Sequence, residues 1–380
     1  MVTLKYSKRD VNRAGKTLIN SDTTVEEQKE AKSIVSNWRA CYTTPLNTFQ
    51  TTLRERLKNI DDKALVSQRL KRMPSIIAKL KRQESMKLVQ MQDIGGLRAI
   101  VKDIDTLREV ESVYRESEVT HSLVGKGKDY IDEPKESGYR GIHLVYKYKD
   151  EKNIDYNGLF IELQIRTQIQ HCWATAVETM GTFIQYSLKS NEGPNEWLDF
   201  FALAGSAFSW LEKTPQVPKF SDLTELDTYK KLLDEEKHLD VINRLTGFRI
   251  AANHIENDKS GGSYHLVILN LDKHSVHINS YREKKLSEAN AAYYQYEEKA
   301  LKGENLQVVL VKSSSISNLK KTYPSYFLDT DLFIQQLDKI YEEIKKDTEK
   351  RTKIAIGIGL IAGIAGSFIY HLLKKDKKKG

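Results

Sequence analysis

Cysteine is scarce in this 380-residue chain, which contains only Cys41 and Cys172. Two thiols exclude a scaffold held by several disulfides and a four-thiolate zinc site, and such low cysteine use is typical of a reducing compartment. Proline is also rare, at seven residues, while 39% of the chain is hydrophobic and 29% is charged. This balance excludes a polytopic membrane protein and a mostly disordered chain. The length predicts two or three domains.

One long apolar run stands out from this polar composition. Residues 354–373 read IAIGIGLIAGIAGSFIYHLL and contain no Asp, Glu, Lys or Arg. About 20 apolar residues are needed to cross the hydrocarbon core of a bilayer. We therefore predict a single transmembrane helix that anchors a cytoplasmic domain to the membrane, with a buried helix of a water-soluble fold as the alternative. The opening MVTLKYSKRD is charged, so we expect no export signal.

Positive charge is concentrated in one early segment. Residues 54–82 hold ten Lys or Arg and three acidic residues, a net charge of +7, while the whole chain carries +8. The ordinary meaning of such a run is a solvated helix face. The functional meaning is a surface for an anionic partner such as a nucleotide, RNA or acidic lipid.

The order of helical and strand patterns predicts an α+β fold. Residues 1–50 and 51–90 show helical patterns. After them, three strand patterns interleave with two helical patterns, which predicts a mixed β-sheet flanked by helices. The strand patterns lie at 97–101, 141–149 and 159–166, and the helical ones at 105–117 and from residue 167.

The chain also shows a domain division. Residues 213–222 contain two of the seven prolines and are predicted to be a linker. Helical and strand patterns beyond them predict a smaller α+β domain with no chemical motif. The candidate roles of this second domain are regulation and homo-oligomerisation. The predicted regions are an N-terminal helical segment (1–50), a first α+β domain (51–212), the linker (213–222), a second α+β domain (223–346) and the transmembrane helix (354–373).

Four segments of the first domain combine charged residues in patterns suited to chemistry. In the first, Lys71, Ser75 and Lys79 are four residues apart, so we expect them on one helix face, where cations bind a triphosphate. In the second, Asp93 enters a strand before two glycines and is a candidate ligand for Mg²⁺; a turn is the alternative. The segments are RLKRMPSIIAK (69–79), DIGGLRAIV (93–101), KDYIDEPKESGYRGIH (128–143) and ELQIRTQIQHCWA (162–174).

The third and fourth segments add aromatic and acidic groups. Lysines with Tyr139 and His143 suit a loop that stacks on a base and binds phosphate, although His143 alone would be read as a core histidine. In the fourth segment, Glu162, Gln164 and Arg166 alternate with apolar residues. Alternation of this kind places the three polar side chains on one face of a strand, pointing into a site.

Taken together, these segments resemble the synthetase domain of the RelA/SpoT family of alarmone synthetases, which has a nucleotidyltransferase-like fold. The resemblance runs from Arg69 to Phe183. Its most specific part is the ordered set KDYI-x₂-PK-x₂-GY-x₂-IH followed by ExQIRT. Residues 180–330 also resemble a long single-synthetase subgroup with a PxYFLDT motif, here residues 324–330.

The resemblance implies a GTP pyrophosphokinase that uses Mg²⁺ and transfers pyrophosphate from ATP to the 3′-hydroxyl of GDP or GTP, making guanosine tetra- or pentaphosphate. Asp93 and Glu162 would be the catalytic residues and the Mg²⁺ ligands, and Glu162 would also accept the proton of the hydroxyl. Tyr139 would stack on the acceptor guanine. The other implied roles are ATP binding by Arg69, Lys71, Lys79 and Arg98, with the adenine between the two arginines, and acceptor binding by Lys128, Lys135, Tyr139, His143, Gln164 and His171.

Two alternative functions stay open at this point. Toxin-type relatives of the family pyrophosphorylate the 3′ end of tRNA, and the motifs do not separate that acceptor from GDP or GTP. A catalytically inactive nucleotide sensor at the membrane is the second alternative, against which Asp93 and Glu162 argue. Family members with hydrolase activity carry a His-Asp pair, and no such dipeptide occurs here, so we expect no hydrolysis.

Overall fold

The computed structural model describes residues 3–116, 120–257, 262–270, 272–273, 275–313 and 329–349. The helices are α1 (Lys8–Ile19), α2 (Val25–Ala40), α3 (Thr43–Ile60), α4 (Met73–Arg82), α5 (Ile104–Glu116), α6 (Gln168–Phe183), α7 (Asn195–Leu211), α8 (Glu225–Leu239), α9 (Val241–Asn257), α10 (Leu286–Leu301) and α11 (residues 329–349). The strands are β1 (Leu65–Leu70), β2 (Gly95–Val101), β3 (Ser122–Leu123), β4 (Lys128–Asp129), β5 (Ile142–Lys147), β6 (Phe160–Thr167), β7 (Tyr264–Asn270), β8 (Ser275–Tyr281) and β9 (Leu306–Lys312).

The first sheet is mixed, as predicted. Its strands follow the order β1-β2-β6-β5-β3, with β4 also paired to β5. Strands β2 and β6 run parallel and the other neighbours antiparallel. The helical prediction for 51–90 is wrong at β1, where six residues pair with β2 from Leu65 opposite Ile100 to Leu70 opposite Gly95. Pairing with a neighbouring strand overrides a weak local preference.

The two faces of this sheet differ in polarity. Residues directly opposite on neighbouring strands place their side chains on the same face. Because Arg98 lies opposite Gln164, and Gln164 opposite His143, one face collects polar groups from three strands. Glu162 lies on the same face, two residues before Gln164. The other face is apolar and packs with α1 to α5 into a first core; it includes Leu97, Ala99, Val101, Ile161, Leu163 and Ile165.

A second hydrophobic core is formed by residues that follow this sheet in the chain. Helices α6 and α7 pack with α8, α9, α11 and the antiparallel sheet β8-β7-β9. Phe183 stacks on Phe248 with ring centroids 4.2 Å apart, which joins α6 to α9. The segment 213–222, predicted to be a linker, contributes Val217 and Phe220 to this core. The domain bounds themselves stay a prediction.

Among the described residues, no helix has both the length and the apolar character needed to cross a bilayer. The predicted transmembrane segment 354–373 lies outside the described ranges. Of the PxYFLDT motif, the described ranges include its last two residues, Asp329 and Thr330.

Candidate active site

A carboxylate held by two lysines lies at the start of β2. Asp93 Oδ2 is 2.7 Å from Nζ of Lys71, and its Oδ1 is 2.9 Å from Nζ of Lys79. The expectation that both lysines lie on one helix face is wrong, because α4 begins at Met73 with Pro74 in its first turn. Lys71 instead lies between β1 and α4, and the two ammonium groups converge on Asp93 from different elements. We call these three residues the phosphate cluster.

Burial and charge oppose each other in the phosphate cluster. Burial would raise the pKa of Asp93, but the charges and hydrogen bonds of Lys71 and Lys79 lower it below its usual value. Burial lowers the pKa of Lys71. The carboxylate of Asp93 opposes this shift, and the charge of Arg69 adds to it. The three paired groups carry a net charge of +1 when all are ionised, which favours an additional anion at this point.

A chain of hydrogen bonds crosses the polar face beside the phosphate cluster. Gln164 Nε2 donates to Glu162 Oε2 at 2.8 Å, and Glu162 Oε1 lies 2.9 Å from Nδ1 of His143. His143 Nε2 is 2.5 Å from the hydroxyl of Tyr139, which accepts from Nη2 of Arg166 at 2.8 Å. We call these five residues the acceptor cluster. Four of them were predicted site residues.

Neighbouring positive groups lower the pKa values of Glu162 and Tyr139 although both side chains are largely buried. Burial would raise the pKa of Glu162, but the hydrogen bond and charge of His143, together with Arg69, lower it to about 2. Burial would also raise the pKa of Tyr139, but Arg166 and His143 outweigh it and bring it to about 7. The carboxylate of Glu162 is therefore ionised at neutral pH and is suited to bind a cation.

Aromatic rings surround Tyr139. Its ring meets those of Tyr130, His143 and Trp173 in edge-to-face contacts, with centroids 5.7, 5.6 and 6.3 Å apart. Lys135 Nζ lies 4.2 Å from the ring centroid of Tyr130 and 5.1 Å from that of Tyr139. These contacts fix the position of Tyr139, and its stacking on a guanine stays a prediction.

The loop that carries Tyr139 is held tightly against α7. Gly138 has a φ of +85°, and a Cβ at Gly205 would lie 2.4 Å from its carbonyl oxygen. Next to Tyr139, the buried guanidinium of Arg140 pairs with Glu212 at 2.9 Å and donates to Thr214 at 2.8 Å. The second core thus sets the position of the loop that carries Tyr139.

The predicted adenine site lies at the β1 side of the polar face. Arg98 is 95% buried and lines a cavity of about 480 Å³. His171, predicted to bind the acceptor, lines the same cavity, so the structure places it beside Arg98 on the side predicted for ATP. Arg69 acts on both clusters, because its charge affects the pKa values of Lys71 and Glu162.

Two predicted residues occupy the margins of the site. Lys128 is exposed on β4, directly opposite His143, at the rim of the polar face. His171 Nε2 lies 3.1 Å from Oδ2 of Asp329, the first residue of α11. Burial, supported by the charge of Arg98, lowers the pKa of His171 to about 4, although Asp329 raises it. The imidazole is therefore neutral at pH 7.

Sequence reasoning assigned no role to two polar residues, Arg166 and Asp329. Arg166 bonds Tyr139 and also donates to Gln164 at 3.1 Å. The sequence did contain a signal for Arg166, because Arg166 follows the same alternation as Glu162 and Gln164 along β6. Asp329 belongs to the PxYFLDT motif, but its contact with the first domain is not readable from the sequence.

The two predicted metal ligands fit Mg²⁺ that arrives with a triphosphate. Mg²⁺ in nucleotide sites is typically held by one or two carboxylates together with phosphate oxygens and water. In the described part of the chain, no three His, Cys, Asp or Glu side chains converge as a metal site. Asp93 and Glu162 stay the predicted carboxylate ligands of such a site.

Comparison with known proteins identifies the family to which this region is similar. The family model described as "Region found in RelA / SpoT proteins" matches residues 68–186. GTP pyrophosphokinase YjbM of Bacillus subtilis is 36% identical over 113 residues, covering 29% of this chain and 52% of that protein. GTP pyrophosphokinase YwaC of the same organism is 30% identical over 151 residues, covering 38% of this chain and 68% of that protein.

Among solved structures, the small alarmone synthetase 1 of B. subtilis matches with 24% identity and a TM-score of 0.39, covering 47% of this chain and 92% of that one. The match with YjbM spans about half the length of that relative. The match with YwaC spans about two thirds of that relative, and the region matched by the family model contains both clusters. The chain belongs to the RelA/SpoT family.

Proposed function

We propose that this protein is a GTP pyrophosphokinase, which transfers the pyrophosphoryl group of ATP to the 3′-hydroxyl of GDP or GTP. The observation that carries the proposal is the pair of polar clusters, the acceptor cluster on the polar sheet face and the phosphate cluster at the start of β2, with the charge of Arg69 acting on both. One cluster suits a triphosphate and the other a hydroxyl-bearing nucleotide. The relatives YjbM and YwaC are named GTP pyrophosphokinases, which supports the same activity here.

On the donor side, the lysines of the phosphate cluster would bind ATP. Their ammonium groups now contact Asp93 and would exchange part of that contact for phosphate oxygens. Charge-assisted hydrogen bonds of this kind are among the strongest in proteins. Mg²⁺, when bound through Asp93 and Glu162, would neutralise charge on the triphosphate. Arg69 and Arg98 would hold the adenine between their guanidinium planes.

On the acceptor side, Tyr139 would stack on the guanine while Lys135 and His143 bind its phosphates. The 3′-oxygen attacks the β-phosphorus of ATP, the bond from that phosphorus to the α-phosphate oxygen breaks, and AMP leaves. Positioning and charge stabilisation supply most of the acceleration in such a transfer. Glu162, ionised and fixed by His143 and Gln164, would accept the proton of the hydroxyl.

The test is an acceptor assay with the full chain. The protein is incubated with γ-labelled ATP, Mg²⁺ and either GDP, GTP or tRNA, and the labelled product is identified. Label in GDP or GTP supports the proposal, label in tRNA alone indicates the toxin-type reaction, and label in none of them refutes pyrophosphate transfer. Glu162→Gln should lower the rate by about 100-fold or more. Glu178→Gln is the matched control, because Glu178 lies on α6, outside both clusters, and pairs with Lys189 at 3.5 Å.

We further propose that residues 354–373 attach the protein to a membrane. Support comes from the length of the uncharged run and from the lysines that follow it, which suit the anionic headgroups of a bilayer surface. The catalytic region would then lie on the side of the membrane where ATP and GTP are present.

A further inference from the structure

A carboxylate from α11 contacts His171, which lines the cavity beside Arg98. Asp329 is the first described residue of α11, and its Oδ2 is 3.1 Å from Nε2 of His171 on α6. The same oxygen accepts from Oγ1 of Thr175 at 3.3 Å. Both partners of the main contact are buried, with 5% of the His171 side chain and 11% of the Asp329 side chain exposed. Screening by water is therefore weak at this contact.

The second core fixes the place of Asp329. One turn further along α11, Phe333 packs against Phe201 and Phe208 of α7, with ring centroids 6.2 and 5.3 Å apart. Thr330 is fully buried beside Asp329. Because α11 is anchored by these apolar contacts, the carboxylate is presented to His171 by a rigid element rather than by a loop.

His171 in turn lines the cavity beside Arg98. The charge of Arg98 acts on its ring. A neutral imidazole carries its proton on one nitrogen only. With Nε2 facing the carboxylate of Asp329, the proton belongs on Nε2 and Nδ1 becomes an acceptor. A carboxylate that orients a functional histidine in this way sets both its ring plane and its tautomer.

We propose that Asp329 is a positioning residue that fixes the ring and tautomer of His171, and thereby makes α11 part of the ATP-binding site. The inference rests on the proposed function, because it takes the cavity beside Arg98 as the place of the ATP base. Loss of the carboxylate should weaken ATP binding and leave the acceptor side, built around Tyr139, unchanged.

The kinetic test compares variants of the full chain. Asp329→Ala should raise the KM for ATP about tenfold, as expected for the loss of one charge-assisted hydrogen bond, while kcat and the KM for GDP change less than about threefold. Asp329→Asn keeps the shape of the side chain and one acceptor oxygen, so it should raise the KM for ATP by less than Asp329→Ala does. Asp331→Asn is the matched control, since Asp331 lies on the same helix and pairs with Arg249. It should leave both KM values within about twofold of wild type.

Two further measurements separate positioning from general structural damage. In a His171→Ala background, Asp329→Ala should cause no additional rise in the KM for ATP, because the two changes act through one contact. Long-range ¹H–¹⁵N spectra should show the Nε2–H tautomer of His171 in the wild type and a mixture of tautomers in Asp329→Ala. Additive effects on KM, or an unchanged tautomer, would overturn the proposal.

Failure of the proposed function is distinguishable from failure of this inference. Binding of a non-hydrolysable ATP analogue to the same variants, measured at equilibrium, requires no acceptor and no turnover. A tenfold loss of analogue affinity in Asp329→Ala, absent in Asp331→Asn, supports the role of Asp329 even if no acceptor is labelled. Equal affinity in the wild type and Asp329→Ala contradicts it even if the enzyme makes guanosine tetraphosphate.

Discussion

Replacement of Gly205 by alanine should impair the acceptor side of the site through backbone packing alone. A Cβ at this position in α7 would lie 2.4, 2.6 and 2.9 Å from the carbonyl oxygen, Cα and carbonyl carbon of Gly138. Ordinary contact begins at 3.4 Å, so the loop that carries Tyr139 must move by about 1 Å. Overpacking costs about 1–3 kcal/mol, partly offset by the preference of helices for alanine over glycine of about 1 kcal/mol.

The assay is steady-state transfer from ATP, with each substrate varied in turn. A displacement of about 1 Å near reacting groups typically lowers the rate about 100-fold. We therefore expect kcat/KM for GDP to fall by about 10- to 100-fold and Tm to fall by a few degrees, with the KM for ATP little changed. Gly247→Ala in α9 is the control, because its nearest contacts would be side-chain atoms of Leu269, the first at 2.6 Å, rather than the backbone of the loop that carries Tyr139. A Gly205→Ala variant with wild-type kinetics and Tm would refute the reasoning.

Two other predictions concern the acceptor and the tail. Tyr139→Ala should raise the KM for GDP more than the KM for ATP, since stacking on one base is worth about 1–3 kcal/mol, and equal losses for both substrates would contradict its role. Deleting residues 352–380 should leave pyrophosphate transfer unchanged but abolish membrane association in fractionation. The full chain should stay with membranes in high salt, because salt screens lysine–lipid attraction but not apolar insertion, and its appearance in the supernatant at low salt would refute the anchor.

Strand periodicity explains why much of the acceptor cluster could be predicted. Along β6, Glu162, Gln164 and Arg166 alternate with apolar residues, and a strand has a period of two, so their common face follows from the sequence alone. The register between neighbouring strands, in contrast, does not follow from the sequence alone. Arg98 meets Gln164 because β2 and β6 pair in parallel at one offset, which many contacts across the sheet decide together.

The missed strand β1 shows the limit of local patterns. Residues 65–70 lie within a basic stretch whose spacing resembles a helix, and the strand has half-exposed positions rather than a clean alternation. Its strand conformation comes from hydrogen bonds to β2. Because β1 was missed, Lys71 was wrongly expected on one helix with Lys79. The two lysines still converge, because β2 brings Asp93 between β1 and α4.

The contact between His171 and Asp329 was beyond sequence reasoning for a different reason. Each residue lies in a recognisable motif, but nothing in either motif states that α11 packs on α6. Helix α6 is apolar on most of its circumference, with Trp173, Ala176 and Phe183 buried, which indicates a helix enclosed on several sides. It lies between the polar sheet face and the second core, and so belongs to both units. If the proposed role of Asp329 holds, a change in the packing of α11 acts on the cavity lined by Arg98 and His171 through α6 alone.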